Sequence, residues 1–203
     1  MRWLLPLLIG AVLGLAVGAA SALWMSGLLP GSPRLGNDVN ADEWQSDWSI
    51  GSEAANPYVR ARIARFGLLA LRKEEAVYFT RAVDEEGRAL QEACTYSVSG
   101  GSFPAEWWSI TLYDGDSRLP MNDDEALSFD ATDADVAGVP DGWSFTVSPV
   151  RGETPVRQWV SSQAAGRFDL TLRLYLPSEA LLDNPEATLA PPVIERVSCE
   201  GEA

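Results

Sequence analysis

The stretch FDLTLRLYL, residues 168–176, repeats with a period of two. Apolar side chains occupy every second position, and acidic, basic, hydroxyl or phenol side chains occupy the positions between. The apolar set is Phe168, Leu170, Leu172, Leu174 and Leu176, and the other set is Asp169, Thr171, Arg173 and Tyr175. Because successive side chains of a strand point to opposite faces, this pattern predicts an antiparallel strand with one buried and one hydrated face.

Five further segments have strand-like composition. They are AVYFTRAV (76–83), ACTYSVSG (93–100), WWSITLYD (107–114), WSFTVSP (143–149) and PVIERVSC (192–199). The first two flank DEEG, with Gly87 in the turn, and are predicted to form a hairpin. Turns rather than helices separate the segments, which favours a mainly β fold: an antiparallel β-sandwich or jelly roll over residues 46–199, with residues 200–203 as a tail.

One short helix is predicted ahead of these strands, in NPYVRARIARFG, residues 56–67. Asn56 can accept hydrogen bonds from the free amides of the first turn, and Pro57 suits the first helical position. Gly67 can adopt the left-handed conformation that commonly ends a helix.

The N-terminus is predicted to be a single transmembrane helix, residues 1–25, that contacts the lipid bilayer through residues 3–25. These 23 residues carry no charge and span roughly 34 Å as a helix, enough for a hydrocarbon core of about 30 Å. A retained signal anchor is favoured, and a signal peptide cleaved after Ala22 is the alternative. We expect a single-pass protein of the bacterial inner membrane with a cytoplasmic N-terminus and a periplasmic C-terminal domain. Residues 26–45 are predicted to be a flexible stalk.

Glycines recur every four residues in this helix, at Gly10, Gly14 and Gly18. Such a row lets a second helix approach closely, so the stripe is a candidate for helix association and for a homodimer. The alternative is that glycine is simply common in membrane helices.

Composition excludes several classes of function. The formal net charge of −14 argues against a nucleic-acid partner, because phosphate binding needs clustered basic residues. The chain has no histidine, which removes Ser-His and Cys-His nucleophile pairs and histidine-bound metals. The single lysine, Lys73, stands beside Glu74 and Glu75, which favour its protonated form. We predict no catalytic residue, cofactor or metal ion.

Carboxylates are the only plentiful acid–base groups. Glu106, Asp114, Asp116 and Glu195 stand near predicted strand ends, where a glycosidase-like pair would need two facing carboxylates. The aspartates of DATDADVAGVPDG, residues 130–142, lack the spacing of an EF-hand calcium loop. Solvated loop acids are the expectation in both places.

The segment EWWSITLYDGDSRLP, residues 106–120, raises the question of a ligand surface. Alternation places Trp108, Ile110 and Leu112 on a core face. The opposite face mixes aromatic and hydroxyl groups, which fits either a half-hydrated outer face or a sugar-binding platform. The candidate ligand-binding residues are Trp107, Tyr113, Trp143 and Trp159.

A series of phrases in the chain resembles the bacterial domain-of-unknown-function family 1214. The phrases are NPYVRARIARFGLLAL, EAVYF, DEEGRAL, CTYSVSG, WWSITLYD, FDLTLRLYLP and PPVIERVSC. The resemblance runs from Trp44 to Cys199 and implies a β-rich, jelly-roll-like domain in the single-domain form that follows a membrane segment. It brings no catalytic residues with it.

Cys94 and Cys199 are the two cysteines of the chain, and both stand in strand-like phrases that the resemblance covers. An exported domain meets an oxidising compartment, so one disulfide between neighbouring strands is expected. The alternative is two separate buried thiols.

Two functions remain open at this stage. The first is a membrane-anchored, non-catalytic periplasmic domain that binds a partner protein or a component of the cell envelope. The second is a carbohydrate-binding or carbohydrate-active domain that uses tryptophan faces and a carboxylate pair.

Overall fold

The computed structural model describes residues 4–27, 29, 39–48, 50, 57–58, 60–61, 71–137 and 142–200. The chain forms two compact units. One comprises residues 1–37 and 48–70, and the other comprises residues 38–47 and 71–203.

The first unit contains the N-terminal helix α1, Leu4–Met25. The helix is long and apolar enough to cross a membrane, with a mean hydropathy of 2.2, although a signal sequence meets the same criteria. In the helix predicted at residues 56–67, positions 57–58 and 60–61 are helical. The predicted caps, Asn56 and Gly67, lie outside the described residues.

The second unit is mainly β, as predicted. Its described strands are β1 (Val39–Ala41), β2 (Trp44–Ser46), β3 (Ala76–Arg81), β4 (Cys94–Gly100), β5 (Ala105–Asp114), β6 (Ser128–Asp130), β7 (Trp143–Ser148), β8 (Trp159–Ser161), β9 (Phe168–Pro177) and β10 (Val193–Cys199). Its helical segments are α2 (Ala131–Ala137), a 3-10 turn (Val156–Gln158), α3 (Glu179–Asp183) and α4 (Pro185–Thr188).

The strands form two sheets. The six-stranded sheet has the order β1-β2-β3-β9-β5-β6, and the four-stranded sheet has the order β10-β4-β7-β8. All neighbours pair antiparallel except β7 and β8, which are parallel. The strand β9, which contains the stretch with the clearest alternation, lies in the middle of the larger sheet between β3 and β5.

The core lies where the inner faces of the two sheets meet. From the six-stranded sheet, Ile110, Leu172 and Leu174 are fully buried. Aromatic rings join the sheets: the centroids of Trp108 and Trp143 are 4.7 Å apart. This contact between the faces gives the unit its sandwich character, because each alternating strand buries its apolar side chains there.

The end of β9 departs from the predicted alternation. Phe168, Leu170, Leu172 and Leu174 are buried as expected, but Leu176 is 58% exposed. Its φ of 48° lies in the left-handed region and breaks the pleat at this residue. The following Pro177 is buried instead.

The predicted stalk of residues 26–45 extends too far, because β1 and β2 form a hairpin within residues 39–46. The turn residues Asp42 and Glu43 have φ values of 52° and 66°, as a type I′ turn requires. Trp44 is fully buried and donates its indole N–H to the carbonyl of Pro192 at 2.8 Å. Asp-Glu lacks the glycine that usually marks such a turn, so no hairpin was predicted at this position.

The hairpin predicted across DEEG is wrong, because its two strands belong to different sheets. β3 pairs with β2 and β9, whereas β4 pairs with β10 and β7. The turn itself exists: Gly87 has a φ of 76° and donates to the carbonyl of Asp84 at 3.1 Å. A single bridge, between Val83 and Ala89, closes it. The chain then crosses from one sheet to the other.

Cys94 and Cys199 face each other across β4 and β10. Their Cα atoms are 3.9 Å apart and their sulfur atoms are bonded. The disulfide therefore ties the last strand to the middle of the chain, between neighbouring strands as the sequence predicts.

Candidate functional site

The outer face of the six-stranded sheet is the surface opposite the core. We define it by the side chains of β3, β5 and β9 that alternate with the buried ones. They are Tyr78, Thr80, Trp107, Ser109, Thr111, Tyr113, Asp169, Thr171, Arg173 and Tyr175. The face is therefore aromatic and hydroxylated, with one basic and one acidic group.

Strand register arranges these side chains in rows across the sheet. In the first row, Trp107 lies opposite Tyr175. The ring centroids of this pair are 5.3 Å apart with an interplanar angle of 58°. Trp107 is 38% exposed, so the row offers an accessible aromatic surface.

Arg173 occupies the middle of the next row, between Tyr78 of β3 and Ser109 of β5. Its guanidinium donates a hydrogen bond to the hydroxyl of Tyr113. The same guanidinium lies 5.4 Å from the centre of the Tyr113 ring, within the range of a cation–π contact. Two contacts with one tyrosine thus fix its position on the face.

Hydroxyl groups form the row after that. The Oγ1 atoms of Thr80 and Thr171 are 3.0 Å apart, and Thr171 donates to Oδ1 of Asp169 at 3.2 Å. Since Thr171 has one proton to donate, Thr80 is the donor to Thr171. Thr111 and Thr171 are only 7% and 6% exposed, so this row is largely buried. The accessible part of the outer face consists of the aromatic rings and the guanidinium.

Asp169 is the acidic group of the face. Burial raises its pKa to about 6, the hydrogen bond from Thr171 lowers it, and the charge of Asp114 raises it further. The carboxyl group thus exchanges its proton in mildly acidic solution. Burial likewise raises the pKa of Tyr78, so its phenol stays protonated at neutral pH.

The four tryptophan and tyrosine candidates are separated by the fold. Trp107 and Tyr113 lie on the outer face, whereas Trp143 and Trp159 are 6% and 8% exposed. The indole N–H of Trp143 donates to the carbonyl of Gly101 at 2.7 Å, and that of Trp159 donates to Oγ of Ser148 at 3.0 Å. A surface cluster of Trp107, Trp143 and Trp159 therefore does not form, because the latter two fill the core.

The core position of Trp143 also accounts for Gly100. A Cβ at Gly100 would lie 2.5 Å from Cζ2 of the Trp143 ring, so only glycine lets the indole pack against the backbone there. Trp143 is thus part of the architecture.

The carboxylates suggested by the sequence cap turns or face solvent. Oδ1 of Asp114 accepts from the backbone N–H groups of Asp116 and Arg118, both at 2.9 Å. Glu106 and Glu195 are exposed. Within the described part of the chain, no three acidic or cysteine side chains are placed to hold a metal ion. Asp141 lies outside that part.

A second polar cluster lies under the turn that follows β3. Asp84 is 1% exposed and forms ion pairs with Arg88 at 2.9 Å and with Arg196 at 3.1 Å. Arg81 pairs with Glu85 at 2.9 Å. Each buried charge here has an opposite partner, so the cluster fastens the turn to β10 and is structural. Nothing in the sequence pattern indicated it.

The glycines of the predicted helix-association stripe lie on α1. An added Cβ at Gly10, Gly14 or Gly18 would meet nothing within 4 Å. The stripe is open in a single chain, and the association itself stays a prediction.

Residues 75–179 match the family described as "Protein of unknown function (DUF1214)", which is just over half of the 203 residues. The chain belongs to this family. The DUF1214 region extends from the start of β3 to the end of β9, so it contains every residue of the outer face. β10 and Cys199 follow it.

Two crystal structures are similar to this DUF1214 chain. The VPA0106 protein from Vibrio parahaemolyticus is 21% identical with a TM-score of 0.55, over 71% of this chain and 36% of that one. An uncharacterized protein from Burkholderia cenocepacia is 17% identical with a TM-score of 0.41, over 64% of this chain and 31% of that one. The chain thus spans about a third of each neighbour. The first likeness supports the fold alone. A comparison with curated proteins finds no match.

Proposed function

We propose that this chain is a membrane-tethered, exported binding domain that holds a polyhydroxylated component of the cell envelope on its outer face. The observation that carries the proposal is the composition of that face. Its first rows offer the exposed Trp107 and the half-buried Tyr175 as a ring pair, beside hydroxyl and guanidinium groups. A sheet face that served only for solubility would carry scattered charged side chains instead.

Sugar rings suit such a surface for two physical reasons. Their apolar C–H faces stack on aromatic rings, which bury much area with little loss of side-chain freedom. Their hydroxyl groups both donate and accept hydrogen bonds, and buried polar groups of the protein favour a ligand that pairs with them. The outer face supplies both kinds of contact on neighbouring strands.

Three features of the chain support the proposed location. The helix α1 has the length and apolarity of a membrane span. The disulfide is the kind of bond that persists outside the cytoplasm. The net charge of −14 disfavours docking onto anionic lipid headgroups, so the envelope ligand would be reached through specific contacts.

A carbohydrate-active role is the second candidate, and Asp169 is the observation that favours it. A general acid needs a carboxyl group with a raised pKa, and a second carboxylate nearby completes a glycosidase-type pair. Asp169 has a pKa of about 6 and lies close enough to Asp114 to be influenced by its charge. Release of reducing ends from a bound oligosaccharide, abolished by Asp169→Asn, would select this role.

A glycan array tests binding directly. The full-length protein in detergent is expected to retain oligosaccharides, and Trp107→Ala is expected to weaken retention about tenfold, which is 1.4 kcal/mol of stacking. Met121→Ala is the matched control, because Met121 is 93% exposed but lies outside the outer face. An array with no retained glycan, together with capture of a protein partner that Trp107→Ala does not affect, would overturn the proposal.

A further inference from the structure

We propose that Arg173 is an anion subsite, so that the ligand of the outer face is an acidic sugar, one that carries a carboxylate or phosphate group. This inference rests on the proposed function and specifies its ligand class. It follows from the charge, the surroundings and the position of this one side chain.

Within the described part of the chain, Arg173 differs from the other buried and half-buried arginines in having no acidic partner. Among the described residues, Arg81 is buried and Arg88, Arg173 and Arg196 are half-buried, and Arg88 pairs with Asp84 and Glu86. Arg81 forms an ion pair with Glu85, and Arg196 forms one with Asp84. No Asp or Glu of the described residues lies within 4.0 Å of the Arg173 guanidinium.

A half-buried arginine without a carboxylate partner raises the free energy of the folded protein. Such an arginine is also unexpected in a chain so rich in acidic side chains. A sheltered charge is unfavourable unless it is paired, and the chain has 29 acidic side chains for 15 basic ones. Tyr113 offers a hydrogen bond and a ring face, but both are neutral partners. A ligand anion would supply the missing charge.

The guanidinium retains the means to bind such an anion. It has five N–H donors in a planar fork, and the fork matches a carboxylate or phosphate through two parallel hydrogen bonds. The contact with Tyr113 fixes the plane of the fork before a ligand arrives, which reduces the ordering cost of binding. Ser109 and Tyr78, beside Arg173 in the register, add hydroxyl groups around the same position.

The spacing of the rows points to a sugar as the carrier of the anion. Side chains two positions apart on one face of a strand are separated by roughly 6.8 Å. Tyr175 and Arg173 have this relation, so a ring stacked on the Trp107–Tyr175 pair would place a substituent over the guanidinium. The outer face has one cation on a protein of net charge −14, which suits a single anionic group and disfavours a dense polyanion such as nucleic acid.

The test compares three probes on the full-length protein in detergent. A galactose oligomer that ends in one galacturonate carries a single carboxylate, a galactose oligomer of equal length is neutral, and a galactose oligomer with one phosphate group carries phosphate. We expect an acidic probe to bind more tightly than the neutral one. Arg173→Gln should weaken the acidic probe tenfold to a hundredfold and leave the neutral probe unchanged. Arg173→Lys should retain part of the preference, since it keeps the charge without the fork.

Two further variants separate the inference from the proposed function. Arg118→Gln removes the same charge from an exposed turn and should change nothing. Trp107→Ala should weaken acidic and neutral probes alike. If wild type binds acidic and neutral probes equally, or Arg173→Gln weakens both equally, the anion subsite is refuted while sugar binding stands. If no probe binds wild type, both ideas fail. The more tightly bound acidic probe identifies the anionic group.

Discussion

Loss of the Cys94–Cys199 disulfide should lower the stability of the β unit severely. The two cysteines are 105 residues apart, so the bond closes just over half of the chain into one loop. In the chain-entropy account, a loop of this length stabilises the fold by about 4.7 kcal/mol, against a typical net stability of about 5–15 kcal/mol. For a domain of this size, that corresponds to a fall in melting temperature of roughly 10–19 °C.

The fold should nevertheless form without the bond. β10 keeps its ladder with β4, and Arg196 keeps its ion pair with the buried Asp84. Trp44 also keeps its hydrogen bond to Pro192, just before β10. Reduction therefore removes a constraint on the unfolded chain while most native contacts of the last strand remain.

The assay is a thermal melt of the full-length protein in detergent, followed by near-ultraviolet circular dichroism. The double variant Cys94→Ala/Cys199→Ala is compared with wild type, both with and without a thiol reductant. Wild type should lose stability on reduction, and the double variant should melt low in both conditions. Equal melting temperatures for oxidised wild type and the double variant would refute the reasoning.

Three other predictions concern the anchor, its stripe and the acidic group of the outer face. A C-terminal alkaline phosphatase fusion should be active and alkaline carbonate should not extract the protein; an inactive fusion would reverse the proposed orientation. Gly14→Ile should abolish dimers in a membrane two-hybrid assay. A dimer signal that survives the double variant Gly14→Ile/Gly18→Ile would show that the stripe does not mediate association. Because the pKa of Asp169 is raised in the folded state to about 6, its contribution to stability should decline as pH rises from about 4 to 6. Asp169→Asn should therefore stabilise the protein relative to wild type at pH 7 but not at pH 4. Asp116→Asn, in a solvated turn, serves as the control. A stabilisation by Asp169→Asn that is the same at both pH values would contradict the assigned titration.

Strand alternation correctly predicted which face of the long strands is buried. It assigned Leu170, Leu172 and Leu174 to the core. It also placed Trp107 and Tyr113 on the other face of their strand from Trp108 and Ile110. The reason is physical, since a half-buried strand has to repeat with a period of two and β5 and β9 are long enough to show it.

Partner choice among strands was beyond the reach of the same pattern. Alternation is a property of one strand, whereas pairing depends on contacts distant in sequence, so AVYFTRAV and ACTYSVSG looked like a hairpin and belong to different sheets. Exposure of a tryptophan is equally non-local. Trp143 is buried because Gly100 leaves room for its indole on the neighbouring strand, which no feature of WSFTVSP reveals.

The candidate site on the outer face is not apparent from the alternation of the sequence alone. Asp169 and Arg173 share a strand face with Thr171 between them, and from sequence they look like an ordinary pair of surface charges. In the sheet, Asp169 accepts a hydrogen bond from Thr171, and Arg173 donates one to Tyr113 on the adjacent strand. The acid and the base are thus held by different neutral partners. A positive charge held in this way, on a strongly acidic protein, is the basis of the proposed anion subsite.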